Sequence, residues 1–282
     1  MFISEFEFLF LGTGTSTGVP IIACDCEVCR SEDPRDQRLR TSAALRFRDS
    51  GGTQRVLLID TSPDLRAQAL RHQLTRLDAI IYTHDHFDHI FGLDEVRRFN
   101  AVMGDQPIAV YADDATSLSL HRVFQHIFQK HRNANRSFIA TLEEQRIDPD
   151  VDVRLFGLRF RPLRLMHGNL PILGFRIEAV DERGEPIAEQ PGPLPLAYMT
   201  DVSEIPSATW PQLSGLRTLV LDMLRFSSHR THFSYDEAVE AATKIQAART
   251  YFVHMTHDLG HAKVDASLPE AMSLSYDGLV LR

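Results

Sequence analysis

His84, His86, Asp88 and His89 fall within six residues, an H-x-H-x-D-H run directly behind the apolar stretch Ala79 to Ile81. Three imidazoles crowded this closely repel one another once protonated, and a soluble protein gains little from setting them beside a carboxylate unless a cation sits among them. A strand followed by a loop aims such side chains at one point. The mixture of nitrogen and oxygen donors suits Zn²⁺, Mn²⁺ or Fe²⁺ better than Ca²⁺ or Mg²⁺.

A chain of 282 residues is long enough for two domains, but layered α/β folds run to this length as one, and residues 1–282 are read as a single domain. No stretch approaches the roughly 18 apolar residues of a membrane span, and Met1 to Glu7 lacks the basic start of a signal peptide. The expectation is a cytoplasmic enzyme without a membrane partner. A net charge of -8 argues against a general polyanion binder, so a small anion is a better partner than nucleic acid.

The three cysteines all lie in the C-x-C-x-x-C run of Cys24, Cys26 and Cys29. In a reducing compartment this spacing reads as metal binding rather than a disulfide framework, with a redox pair as the other reading. A tetrahedral zinc would lack one ligand, which a histidine from elsewhere could supply.

Short apolar strands alternate with helical patterns, which predicts an α/β architecture. Phe6 to Leu11 reads as a strand running into Gly12 to Gly18, a loop better explained by turn chemistry than by phosphate binding. Arg55 to Asp60 reads as a strand ending in a carboxylate, then Ser62 and Pro63 as the start of a helix to about Leu70. Ser234 to Glu237 has capping-box form and opens a helix through about Ala248, followed by a strand from Thr250 to Val253. Leu274 to Leu281, with Asp277-Gly278 at its middle, predicts a hairpin. Asp181 to Pro195 reads as a loop inside a hairpin, and Lys130 to Asp150 as a polar, mobile insertion. His167, Asp201 and His254 each follow an apolar strand-like run, where layered sheet proteins gather their sites.

The order Asp60, then His84, His86, Asp88 and His89, then His167, Asp201 and His254 resembles the metallo-β-lactamase superfamily over nearly the whole chain. That resemblance implies a four-layer αββα sandwich with two metals at one edge. His84, His86 and His167 would bind one metal, Asp88, His89 and His254 the other, Asp201 would bridge them, and Asp60 would orient ligands by hydrogen bonds. Within the superfamily, Leu11 to Gly14, Gly18-Val-Pro20, the three cysteines, His232, and His254 with His257 resemble the cyclic phosphodiesterases of bacterial phosphonate breakdown, which hydrolyse phosphoribosyl 1,2-cyclic phosphate. This second likeness implies a structural zinc held by Cys24, Cys26, Cys29 and His257. It also allows a homodimer. The chain departs from that family by extra length from about Ala112 to Asp150.

The expected reaction is hydrolysis of a small, cyclic or linear, phosphodiester. Two catalytic zinc or manganese ions roughly 3.5 to 4 Å apart would bind a phosphoryl oxygen and supply a bridging hydroxide for in-line attack. His232 is the candidate general acid and His229 the alternative. Arg97 and Arg98 read as a solvated face, and His72, His121, His126, His131 and His261 as surface or structural residues. The rival readings are a transfer-RNA 3′-processing nuclease, a β-lactamase or thioester hydrolase, and a non-hydrolytic protein resembling the second protein of pyrroloquinoline quinone assembly.

Overall fold

The computed structural model describes residues 3–134 and 137–282; residues 1–2 of the N-terminal reading and 135–136 of the polar stretch lie outside the described residues. Strands β1 (Ser4–Gly12), β2 (Ser42–Arg48), β3 (Gln54–Ile59), β4 (Ala79–Ile81), β5 (Ile108–Ala112) and β6 (Leu142–Arg146) belong to one sheet. Strands β7 (Val153–Leu155), β8 (Leu158–His167), β9 (Leu170–Ala179), β10 (Leu196–Met199), β11 (Thr218–Asp222), β12 (Arg249–Val253) and β13 (Met272–Leu274) form the other, and β14 (Val280–Leu281) returns to the first. The strand orders are β14-β1-β2-β3-β4-β5-β6 and β13-β12-β11-β10-β9-β8-β7.

Alternation along the strands builds three hydrophobic layers, because successive side chains in a strand point to opposite faces. Phe8 and Phe10 of β1, Leu57 and Ile59 of β3, Tyr198 of β10 and Val253 of β12 meet between the sheets. Their neighbours Leu9, Leu11 and Leu58 face the other way, into a core shared with the helices α1 (Leu65–Arg71), α2 (Phe87–Ile90), α3 (Arg97–Val102), α4 (Asp114–Val123) and α5 (Gln125–Phe128). On the far side Ala197, Met199, Leu219, Leu221 and Phe252 pack against α6 (Tyr235–Ile245) and α7 (His261–Asp265). The result is the expected αββα sandwich.

Helix α6 shows how local signals and packing agree. The Ser234 side chain accepts from the Glu237 amide and the Glu237 carboxylate accepts from the Ser234 amide, a complete capping box. Ala238, Ala241, Ala242 and Ile245 are its buried stripe. The helix stops at Ile245, short of the expected Ala248, because Gln246 turns into the left-handed region at φ 57°.

Three expectations are corrected. The residues after β12 do not form a hairpin: β13 pairs in parallel with β12, whereas β14 pairs antiparallel with β1 in the other sheet. Asp277 at the crossover is held by Thr13 Oγ1 and the Leu39 amide, each 2.8 Å from its carboxylate, so the Asp-Gly pair links two sheets instead of two neighbouring strands. The Lys130 to Asp150 stretch contributes β6, which extends the first sheet in parallel with β5. Helix α1 begins at Leu65 after Asp64; Ser62 sits outside it, its hydroxyl accepting the Asp64 amide at 3.2 Å. The loop between Asp181 and Pro195 does join antiparallel neighbours, β9 and β10. Among the described residues no helix is long and apolar enough to cross a membrane.

Candidate metal centre

The parallel pairs β3–β4 and β10–β11–β12 end on one edge, and β8, antiparallel to β9, runs the same way as β10. At or just past these ends stand Asp60, His84, His167, Asp201, Asp222 and His254. Asp60, Asp201 and His254 have φ of 62°, 59° and 62°. A left-handed turn at a strand end costs a non-glycine residue on the order of 1–3 kcal/mol, and it is tolerated best by Asp, Asn and His. Here it turns three side chains toward a single point.

Two donor groups form there. Ligand atoms of His84, His86, His167 and Asp201 lie within 4.8 Å of one another, as do those of Asp88, His89, Asp201 and His254. Asp201 is common to both, with one carboxylate oxygen 3.2 Å from His89 Nε2 and the other 3.2 Å from His254 Nε2. Nε2 of His84, His89 and His254 are buried yet make no hydrogen bond. Leaving several polar nitrogens unsatisfied is expensive unless something else takes their lone pairs, and imidazole nitrogens gathered around carboxylates fit divalent metals.

The surrounding hydrogen bonds decide which nitrogen carries each proton. Both Asp60 oxygens are engaged, one by the Thr83 amide at 2.8 Å, the other by Thr83 Oγ1 at 2.8 Å and His89 Nδ1 at 2.7 Å. A carboxylate only accepts, so His89 is protonated at Nδ1. The Thr83 hydroxyl proton is spent on Asp60, so at 3.0 Å Thr83 accepts from His84 Nδ1. His167 Nδ1 donates to the Thr231 carbonyl at 2.6 Å. In the neutral form of each of the three imidazoles this leaves Nε2 bare, the tautomer a metal ligand needs.

Burial and charge set these imidazoles apart. Burial, together with the neighbouring His89, pushes His84 well below the usual imidazole range. Burial takes His167 down to about 4. His89 goes the other way: burial opposes its charge, but the carboxylates of Asp201, Asp88 and Asp60 override that and hold it well above. Asp201 stays well below the carboxylate range despite burial because His254, His89 and His84 surround it.

His232 is buried and stacks on His254 with ring centroids 4.7 Å apart and planes 13° from parallel. His229 is exposed, with its ring 5.4 Å from that of His232 and its Nδ1 taken by Thr231. Asp222, unnoticed in the sequence, lies at the end of β11 with one oxygen 3.3 Å from His232 Nδ1 and the other accepting the Phe233 amide at 3.0 Å. Its signal was the one that marked Asp60: an apolar strand, Leu219 to Leu221, ending in a carboxylate. His121 and His126 pair with Glu144 and Asp94.

A second cluster stands apart. His257 Nδ1 lies 3.2, 3.4 and 3.4 Å from the sulfurs of Cys24, Cys26 and Cys29. A tetrahedral zinc bonds sulfur at ~2.3 Å and nitrogen at ~2.0 Å, which sets such atoms about 3.5 Å apart; the spacing fits that ion. Cys26 is brought down to about 7, chiefly by the amide of Cys29, whereas burial pushes Cys29 up to about 11. The glycine loop serves packing: the Gly14 amide donates to Leu39 and the Thr15 amide to Met255. A Cβ on Gly12 would come 2.0 Å from the Arg40 carbonyl oxygen.

Residues 55–255 match the family model described as beta-lactamase superfamily domain. Among solved structures, one described as a new diphosphatase from the PhnP family superposes with a TM-score of 0.83 at 39% identity, over 99% of this chain and 97% of that one. Zn²⁺-bound PqqB from Methylobacterium extorquens superposes with a TM-score of 0.74 at 20% identity, over 98% of this chain and 99% of that one, a likeness of fold. A curated relative from Porphyromonas gingivalis named octanoyltransferase is 34% identical over 273 residues, 96% of this chain and 50% of that protein. The chain thus spans about half the length of that curated relative.

Proposed function

Because the chain belongs to the β-lactamase superfamily, we propose that it is a metal-dependent hydrolase of small phosphodiesters, cyclic or linear, a single catalytic domain over residues 1–282. The observation that carries this reading is the pair of donor groups joined at Asp201, with Nε2 of His84, His89 and His254 buried and without a hydrogen bond. His84, His86 and His167 would hold one ion and Asp88, His89 and His254 the other, zinc or manganese in each. Cys24, Cys26, Cys29 and His257 would hold a structural zinc. Two such cations neutralise phosphoryl oxygens and acidify water.

The chain's own residues supply the rest. Asp60 fixes the tautomers of His89 directly and of His84 through Thr83. His232, held through Nδ1 by Asp222, is the group that gives a proton to the leaving oxygen. Burial lowers it below the usual imidazole range, which makes its protonated form a stronger acid but a minor one at neutral pH. A diphosphate ester belongs to the same substrate class, a phosphorus centre with a charged leaving group, and the name of the 39% identical structure favours including it.

Turnover of purified, Mn²⁺-loaded protein on cyclic phosphodiesters, linear phosphodiesters, diphosphate esters, phosphomonoesters, a β-lactam and an octanoyl thioester tests the reading. Hydrolysis of a phosphodiester or diphosphate ester is the expected result. Turnover of the thioester or β-lactam alone would replace it with acyl chemistry.

A further inference from the structure

Arg38 is among the largest fully buried side chains of the protein. Its guanidinium makes three contacts: Nη1 donates to the Thr256 carbonyl at 2.8 Å, and Nη2 donates to the Leu259 carbonyl at 2.5 Å and to Asp36 Oδ1 at 3.1 Å. Asp36 Oδ1 also accepts the His261 amide at 2.8 Å. Every contact of this cation therefore lands on residues 256–261 or on a carboxylate that grips the same segment. A buried charge is costly to keep, and an apolar side chain of similar volume fills space more cheaply.

The segment that Arg38 grips joins the two metal-type clusters. Thr256 lies between His254, in the histidine–carboxylate centre, and His257, which faces the three thiols. The backbone of Arg38 meanwhile pairs with Val19 in both directions, at 2.8 and 2.9 Å, at the foot of the loop that carries Cys24, Cys26 and Cys29. One residue thus braces the cysteine loop with its main chain and the His254–His257 segment with its side chain. His254 is the part of the centre that needs bracing: its φ is 62°, and neither ring nitrogen has a hydrogen bond.

We infer that Arg38 is a positioning residue coupling the two clusters, so that zinc among Cys24, Cys26, Cys29 and His257 tightens metal binding at the centre containing His254. This rests on the ligand sets of the proposed function but not on the substrate. Coupling of this kind is reciprocal and commonly amounts to 5- to 150-fold in affinity.

Cobalt reports both sites separately, through thiolate charge-transfer absorption for the cysteine cluster and d–d bands for the histidine–carboxylate centre. Co²⁺ is titrated into the latter with the cysteine cluster either zinc-filled or emptied, by exhaustive chelation or by Cys26→Ser. In the natural sequence the zinc-filled form should bind on the order of 10-fold more tightly. In Arg38→Lys, which keeps a charge beside Asp36 but cannot span two carbonyls, the ratio should fall to within about twofold. An Arg38 that merely supports the fold would lower thermal stability and both affinities while leaving their ratio unchanged, and that result would overturn the inference. So would an absence of coupling in the natural sequence, which needs no Arg38 variant to observe. If Arg38→Lys does not fold, Asp36→Asn/Arg38→Met removes both charges together and takes its place. Because the titration reads metal alone, it stands or falls apart from any phosphodiester assay.

Discussion

Asp222 holds His232 through Nδ1 at 3.3 Å while its second oxygen fixes the Phe233 amide at 3.0 Å, so the ring stacked on His254 is oriented from the side away from its Nε2. Under the proposed function this geometry makes His232 the proton donor and His254 a ligand. His232→Ala should retain full metal content and lose on the order of 10²- to 10⁴-fold in rate on a ribose cyclic phosphate. On bis(p-nitrophenyl) phosphate the loss should be much smaller, since p-nitrophenolate departs without protonation. Equal losses on both substrates would move His232 to a phosphate-positioning role and bring His229 forward as the acid.

Asp222→Asn keeps an oxygen for one partner but loses the second oxygen, so the Phe233 amide and the His232 imidazole can no longer both be held as before. Its rate on the cyclic substrate should fall by less than that of His232→Ala, with the same dependence on leaving group. A variant of Asp222 that loses metal and activity together would show that its service is to His254, whose Nδ1 lies 3.6 Å away.

Asp60→Asn tests the tautomer argument. An amide cannot accept from the Thr83 amide, the Thr83 hydroxyl and His89 Nδ1 together as the carboxylate does. Metal affinity at the histidine–carboxylate centre should drop by about 10- to 100-fold, the range seen when partners of metal ligands are removed, while zinc at the cysteine cluster stays. Isothermal titration after chelation would decide it; unchanged affinity would leave Asp60 a purely structural carboxylate.

Under the proposed ligand sets, Cys26→Ser should release one tightly held zinc and lower the melting temperature, with the side chains of His84, His86, Asp88, His89, His167, Asp201 and His254 still in place. His257→Ala should do the same. Metal analysis that finds His257→Ala short of a loosely held ion instead would exchange the roles of His254 and His257.

Asp277 gives a pH dependence outside the metal clusters. Burial raises its carboxyl from 3.8 to about 6, opposed by the Leu39 amide and Thr13. The folded state therefore binds this proton more tightly than the unfolded state. Between about 6 and 3.8 the contribution of Asp277 to stability grows as pH falls and is lost as pH rises, by on the order of 3 kcal/mol in full. Denaturant melts of the natural sequence and Asp277→Asn at both ends of that window should show the difference between the two changing in this sense. A difference independent of pH would mean the carboxyl titrates normally.

Much of this protein was written locally. The H-x-H-x-D-H run, the C-x-C-x-x-C run and the capping box at Ser234 are patterns whose physics acts within a few residues: ligand spacing, thiol chemistry, a helix end satisfying its own amides. The strand-end positions of Asp60, His167, Asp201 and His254 were equally legible, because an apolar run that stops at a polar residue marks where a sheet meets its edge. What tertiary structure decided was pairing at a distance. Asp277-Gly278 carries a hairpin signal, yet Thr13 and Leu39 capture Asp277, and β14 pairs with β1 while β13 pairs with β12. A turn signal specifies a reversal but not which sheet receives the chain after it. Residues 142–146 read as polar because β6 is an edge strand with a half-exposed face, so its place was set by backbone pairing to β5 and not by hydrophobic alternation. Asp222 and Arg38 gained their meaning in the same way. The carboxylate of Asp222 meets His232 and His254 only once β11 and β12 are paired side by side, and the guanidinium of Arg38 lies between two clusters only once it meets Thr256, more than two hundred residues away, through the packing of the sheets.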